Sequence, residues 1–156
     1  MAYGRILVAI DFSEPVSSLV IEKAAGLAKC MGAEVCLLNV VEKEIPILMA
    51  KGFLVPSPDR RVIEKAFNKV KEESVKRLEE MAREVAGKWG IKVLPLVEVG
   101  VPTEVILNTA QKIEADLIVV GSHGKGGIEK FFLGSVSERV AMKAKVDVLI
   151  VRAQHE

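Results

Sequence analysis

Residues 121–137, GSHGKGGIEKFFLGSVS, place three glycines at a spacing that points to chemistry. Gly121 is followed after two residues by Gly124, and nine residues later by Gly134 and Ser135. Glycine loses more conformational entropy on folding than any other residue, so such a cluster marks either a turn or a close approach of backbone to something else. Gly134 and Ser135 open a stretch of helical period carried by Val136, Val140 and Ala144. At a helix start the first N–H groups lack acceptors and the helix dipole favours negative charge, so an anion such as phosphate suits it. Ser135 can cap that helix and Ser137 can offer a hydroxyl to the anion. Gly121 and Gly124 let the chain pass close to a phosphate or ribose with no Cβ in the way. The competing reading is that the glycines make turns and Ser135 is an ordinary cap; the residues alone leave both open.

Two familiar phosphate loops do not fit. GxxxxGK[ST] would begin at Gly121 and Gly126, but residue 127 is glycine rather than lysine. GxGxxG would use Gly124 and Gly126 and then needs glycine where Glu129 stands. Asp11, at the end of the run RILVAI, is a carboxylate suited to a ribose hydroxyl or a metal. Alternatively it braces the start of the first helix, where DFSEP also offers Ser13. His123 is a base or ligand, or a polar loop residue; with His155 as the only other histidine, no histidine metal cluster can form. Lys125 and Lys130 neutralise phosphate charge or are simply solvated. Any divalent metal would rely on phosphate, Ser or Asp oxygens and water, with Asp11 the candidate. No Ser/His/Asp or Cys/His arrangement is readable, which weakens an enzyme reading.

The elements that must position these residues follow from periodicity. RILVAI (5–10), EVCLLNVV (34–41), DLIVVG (116–121) and DVLIV (147–151) are short, nearly continuous apolar runs with β-branched residues, as expected of strands covered on both faces, and KVLPLVEV (92–99) is the odd fifth. Between them lie helical stripes: Val20, Ala24, Leu27 and Met31; Ile63 through Val85; Ile106, Ala110 and Ile113; and Val136, Val140 and Ala144. Gly32, Gly90 and Gly100 punctuate the joins. Strands alternating with helices predict an α/β fold, a five-stranded parallel doubly wound sheet with helices on both faces. Pro95 cannot donate to a ladder and places strand 3 at an edge. Right-handed crossovers then give the order 3-2-1-4-5. The winding reverses between strands 1 and 4, and ligands in such sheets sit beyond the strand ends at that reversal. Asp11 and Gly121 are the ends of those two strands.

The totals set bounds. At 156 residues, half apolar and 28% charged, the chain is predicted to be one globular domain, 1–156. A net charge of +1 offers no basic footprint for nucleic acid or an anionic membrane. No run approaches the ~20 apolar residues of a membrane span, and the N-terminus lacks the pattern of a signal peptide, so a cytoplasmic protein is expected. Cys30 and Cys36, on a predicted helix and strand, are expected to be reduced, buried and structural. Residues 42–59, EKEIPILMAKGFLVPSPD, resist assignment; a loop of that length is usually functional or mobile, and its apolar residues suit either a contact between copies or a lid. The last strand is an edge without proline or lysine to guard it, which invites pairing with a second copy.

GSHGKGGIEKFFLGSVSERV, with RILVAIDFSE, LLNVVE and GVPTEVILNTAQKIEADLIVVGSHG before it, resembles the universal stress protein family. Its ATP-binding members carry G-x2-G-x9-G-[S/T], filled here without a gap. The resemblance covers nearly the whole chain and implies a Rossmann-like fold of the adenine nucleotide α-hydrolase kind. It implies ATP or another adenine nucleotide, with Mg2+ or Mn2+ an option, in the crevice. Asp11 would lie near the nucleotide, and Val40 at the end of strand 2 would receive the adenine. Gly121, Ser122, His123 and Gly124 would line the ribose and phosphates; Gly134, Ser135, Val136 and Ser137 would hold the phosphates. Ala9 stands where the family often has proline, and Asn39 where histidine often precedes the strand-2 valine. Homodimers through the last strand, residues 146–151, are also implied. The expected function is a nucleotide-binding regulatory or stress-response module. The alternative is an enzyme that slowly hydrolyses ATP or transfers its adenylyl group. A phospho-acceptor receiver and a flavin carrier share the fold, but DFSE and VRAQ do not supply the receiver's acidic pair and lysine, and Trp89 and Tyr3 sit near strand starts, the wrong end to stack on a flavin.

Overall fold

Each apolar run becomes a strand and each amphipathic stretch a helix. The computed structural model describes residues 3–42, 60–123 and 134–153. In chain order the elements are β1 (Arg5–Ile10), α1 (Val16–Met31), β2 (Glu34–Val41), α2 (Arg60–Trp89), β3 (Val93–Val99), α3 (Pro102–Lys112), β4 (Leu117–Gly121), α4 (Ser135–Lys143) and β5 (Asp147–Val151). The strands form one parallel sheet in the order β3-β2-β1-β4-β5, as the winding argument predicted. Pro95 lies on the edge strand β3, opposite Leu37.

Alternation along β1 divides the core in two. Ile6, Val8 and Ile10 pack with Val20 and Ala24 of α1 and with Leu78 of α2. Leu7 faces the other way and packs with Ile106 and Ala110 of α3 and Val140 of α4. The sheet is therefore covered on both faces, which is why its central strands carry nearly unbroken apolar runs. The charged helix α2 is anchored by Leu78 and Ala82, its only buried apolar residues among those described.

Helix α1 departs from its predicted stripe. Its buried face is Val16, Ser17, Val20, Ile21, Ala24, Ala25 and Ala28, while Met31 is exposed. Three alanines on that face leave room for a close approach to the sheet. The helix ends at Gly32, whose φ of 68° is the left-handed cap conformation. Cys36 is buried in β2 as expected, and burial pushes its thiol up to about 11. Cys30 is exposed on α1, contrary to expectation, because it lies two positions after the sheet-facing Ala28, about 200° around the helix and so on its opposite side.

Polar fasteners gather where the strands begin. The Asp116 carboxylate accepts from the backbone N–H groups of Gly4 and Arg5 at 2.8 and 2.9 Å. Arg5 pairs with Glu34 at 2.5 Å, and Lys92 approaches the same carboxylate at 3.4 Å. Tyr3 donates to Asp147 at 2.8 Å. The expected apolar loop 42–59 lies, apart from Glu42, outside the described residues.

Candidate functional site

The other end of the sheet is where β1 and β4, hydrogen-bonded neighbours, send their chains to opposite faces. The last β1–β2 pair is Ile10 with Asn39. One step further stand Asp11 and Val40, and Ala9 precedes them on the same face as Val40. All three are half-buried. Asn39 is buried, and its Nδ2 donates to the Ile10 carbonyl at 2.9 Å, fixing the end of β1 to β2. The Asp11 Oδ1 accepts from the Ser13 N–H at 2.9 Å and from the Ser13 hydroxyl at 2.5 Å. Asp11 thus braces the β1–α1 turn, the alternative offered by the sequence, with one of its oxygens.

At the end of β4, Ser122 is a junction. Its N–H donates to the Val151 carbonyl at 2.8 Å, and its carbonyl accepts from the Gly134 N–H at 2.5 Å. The second contact docks the start of α4 against the end of β4. Gly134 is the N-cap of α4, with φ −64° and ψ 154°. The sequence offered Ser135 as that cap; the structure makes Ser135 the first helical residue, and among the described residues no side chain caps the helix. The first helical N–H with a main-chain acceptor in the helix is that of Glu138, which donates to Gly134 at 3.0 Å. The N–H groups of Ser135, Val136 and Ser137 therefore point out of the helix start, where an anion is favoured.

Two residues have packing reasons beside any ligand reason. A Cβ on Gly121 would overlap the Val16 side chain of α1, so glycine there lets α1 close onto β4. The buried Ser137 hydroxyl donates to the Gly121 carbonyl, so its proton ties α4 to β4 rather than pointing at an anion. His123 is half-buried, with Nδ1 at 3.1 Å from the Ser122 hydroxyl. Gly124, Lys125 and Lys130 lie outside the described residues. No group of three or more His, Cys, Asp or Glu among the described residues could hold a metal ion. An open depression of about 740 Å3 lies at the opposite end of the sheet, among Gly4, Arg5, Lys29, Glu34 and Lys92. Arg5 and Lys92 both pair with Glu34 there.

Asn39 and the start of α4 were unequally legible. A polar residue inside the apolar run EVCLLNVV is a signal for a buried hydrogen bond, whereas nothing in the sequence marks Ser122 as the junction.

The model of the universal stress protein family matches residues 2–152. The chain belongs to the universal stress protein family. The universal stress protein YxiE of Bacillus subtilis is 36% identical over 150 residues, covering 96% of this chain and 99% of its own. The universal stress protein MJ0577 of Methanocaldococcus jannaschii is 32% identical over 160 residues, covering 98% and 97%. The solved structure of MJ0577 superposes with a TM-score of 0.82 over 100% of both chains, at 29% identity. A universal stress protein solved in complex with cAMP shares the fold at a TM-score of 0.63 and 24% identity, covering 97% of this chain and 98% of its own.

Proposed function

We propose that this universal stress protein binds ATP, or another adenine nucleotide, at the end of the sheet where β1 and β4 diverge, and acts as a cytoplasmic regulatory homodimer. The observation that carries the reading is the uncapped start of α4, held against the end of β4 by the Ser122–Gly134 hydrogen bond. Three outward N–H groups beside the strand ends suit phosphate oxygens. In this reading Ser135, Val136 and Ser137 offer main-chain donors to the phosphates. Gly121, Ser122, His123 and Gly124 line the ribose and phosphates, Asp11 accepts from a ribose hydroxyl, and Ala9 and Val40 flank the base. Any Mg2+ or Mn2+ is held mainly by nucleotide oxygens and water, since Asp11 is the one carboxylate proposed there. The family relationship and a fold also seen with cAMP agree with this reading.

Native mass spectrometry of the purified protein should show a co-purifying adenine nucleotide. Gly134→Val tests the site itself. A φ of −64° is open to any residue, so the fold should survive, while ATP affinity should fall by about tenfold or more for each charge-assisted hydrogen bond lost. Unchanged affinity by calorimetry would overturn the assignment of α4. Single-turnover assays separate binding from chemistry: ATP retained over hours without product excludes hydrolysis and adenylyl transfer.

A further inference from the structure

Asp11 is flanked by two residues that are each pinned from a different element. On one side the Ile10 carbonyl accepts the buried Asn39 amide of β2. On the other, Phe12 adopts a φ of 66°, a left-handed conformation that an aromatic residue rarely occupies. Such a conformation persists only where the surroundings over-determine it. Phe12 packs against the core shared by α1 and α2, and the Arg77 guanidinium of α2 stands over its ring, 4.5 Å from the centroid. Arg77 is 65 positions away in sequence and exposed, so it does not act by filling the core.

We propose that Arg77 is a positioning residue for the nucleotide site: by holding the Phe12 ring it fixes the backbone on which Asp11 is presented. The proposal rests on the nucleotide reading for its functional consequence, and on the Phe12–Arg77 geometry alone for its structural one. A cation over an aromatic face is electrostatically attracted to it, and the attraction is modest at an exposed site. Arg77 thus tunes the site rather than building it. Methionine at this position keeps an apolar stem over the ring and removes the charge, whereas lysine keeps the charge.

The test uses the full chain in two measurements. Amide hydrogen exchange without nucleotide reads the turn: Arg77→Met should speed exchange at Ser13, whose N–H is held by Asp11, by about 2–5-fold. The amides of β4 should keep their rates. Arg77→Lys should restore the Ser13 rate. Calorimetry with ATP then reads the site: Arg77→Met should weaken binding by about 2–5-fold. In an Asp11→Asn background the same substitution should have almost no further effect. An unchanged Ser13 rate overturns the tether. An equal loss of affinity with and without Asp11 overturns its action through Asp11. If the wild-type chain binds no adenine nucleotide, the nucleotide reading fails, and the exchange comparison still decides whether Arg77 holds the turn.

Discussion

Gly121 shows how one residue can carry two explanations. Its spacing from Gly124 and Gly134 matches a nucleotide loop, yet Val16 alone already forbids a side chain there. Gly121→Ala should therefore lower stability by about 1–3 kcal/mol in urea unfolding, with or without nucleotide. Gly134, by contrast, has a backbone that any residue can adopt, so it is the cleaner reporter of ligand. Ser137 belongs with Gly121: Ser137→Ala leaves the Gly121 carbonyl without that donor and should cost about 1 kcal/mol. At the far end of the sheet, two backbone N–H groups hold the Asp116 carboxyl below its ordinary value of 3.8. A depressed carboxyl stabilises the fold fully above the unfolded pKa and loses that contribution as pH falls through the folded one. Asp116→Asn should thus flatten the acid limb of the stability curve below about pH 4, read by urea midpoints across pH.

The elements were more legible than the contacts between them. Three of the five strands, β1, β2 and β5, begin and end at the residues their apolar runs indicated, because continuous β-branched runs have few alternatives in a parallel sheet. Pro95 identified an edge, and that constraint together with right-handed crossovers ordered the sheet. The face of α1 was less legible, since alanine and serine contribute little to an apolar stripe yet line its buried side. Neither the Ser122 junction nor the Phe12–Arg77 stacking left any trace in the sequence pattern, because each depends on a geometry that exists only after the sheet forms. Helix α2 illustrates how thin an element's attachment can be. Leu78 is fully buried on an otherwise charged helix, so Leu78→Ala should cost about 2–5 kcal/mol, measured by chemical denaturation.

At the scale of the whole molecule, polar fasteners occupy one end of the sheet and the proposed site the other. Among the described residues no helix is long and apolar enough to cross a membrane. The edge strand β5 leaves Leu149 exposed and covers Val148 and Ile150 only in part. In the homodimer proposed above, this strand pairs with its copy. Leu149→Lys should then shift the mass in solution, read by light scattering, from two chains to one.

The two thiols give the chain a built-in address for chemistry. Cys36 is buried in β2, and burial pushes its thiol up to about 11, so the reactive thiolate is scarce there at neutral pH. Cys30 is open to reagent near the C-terminal end of α1, beside the fastened pole and away from Asp11. A maleimide dye should attach once per native chain and a second time only after unfolding. The unmodified sequence can thus be given a single fluorophore that reports on tumbling, assembly and opening without intruding on the end of the sheet where a nucleotide is expected.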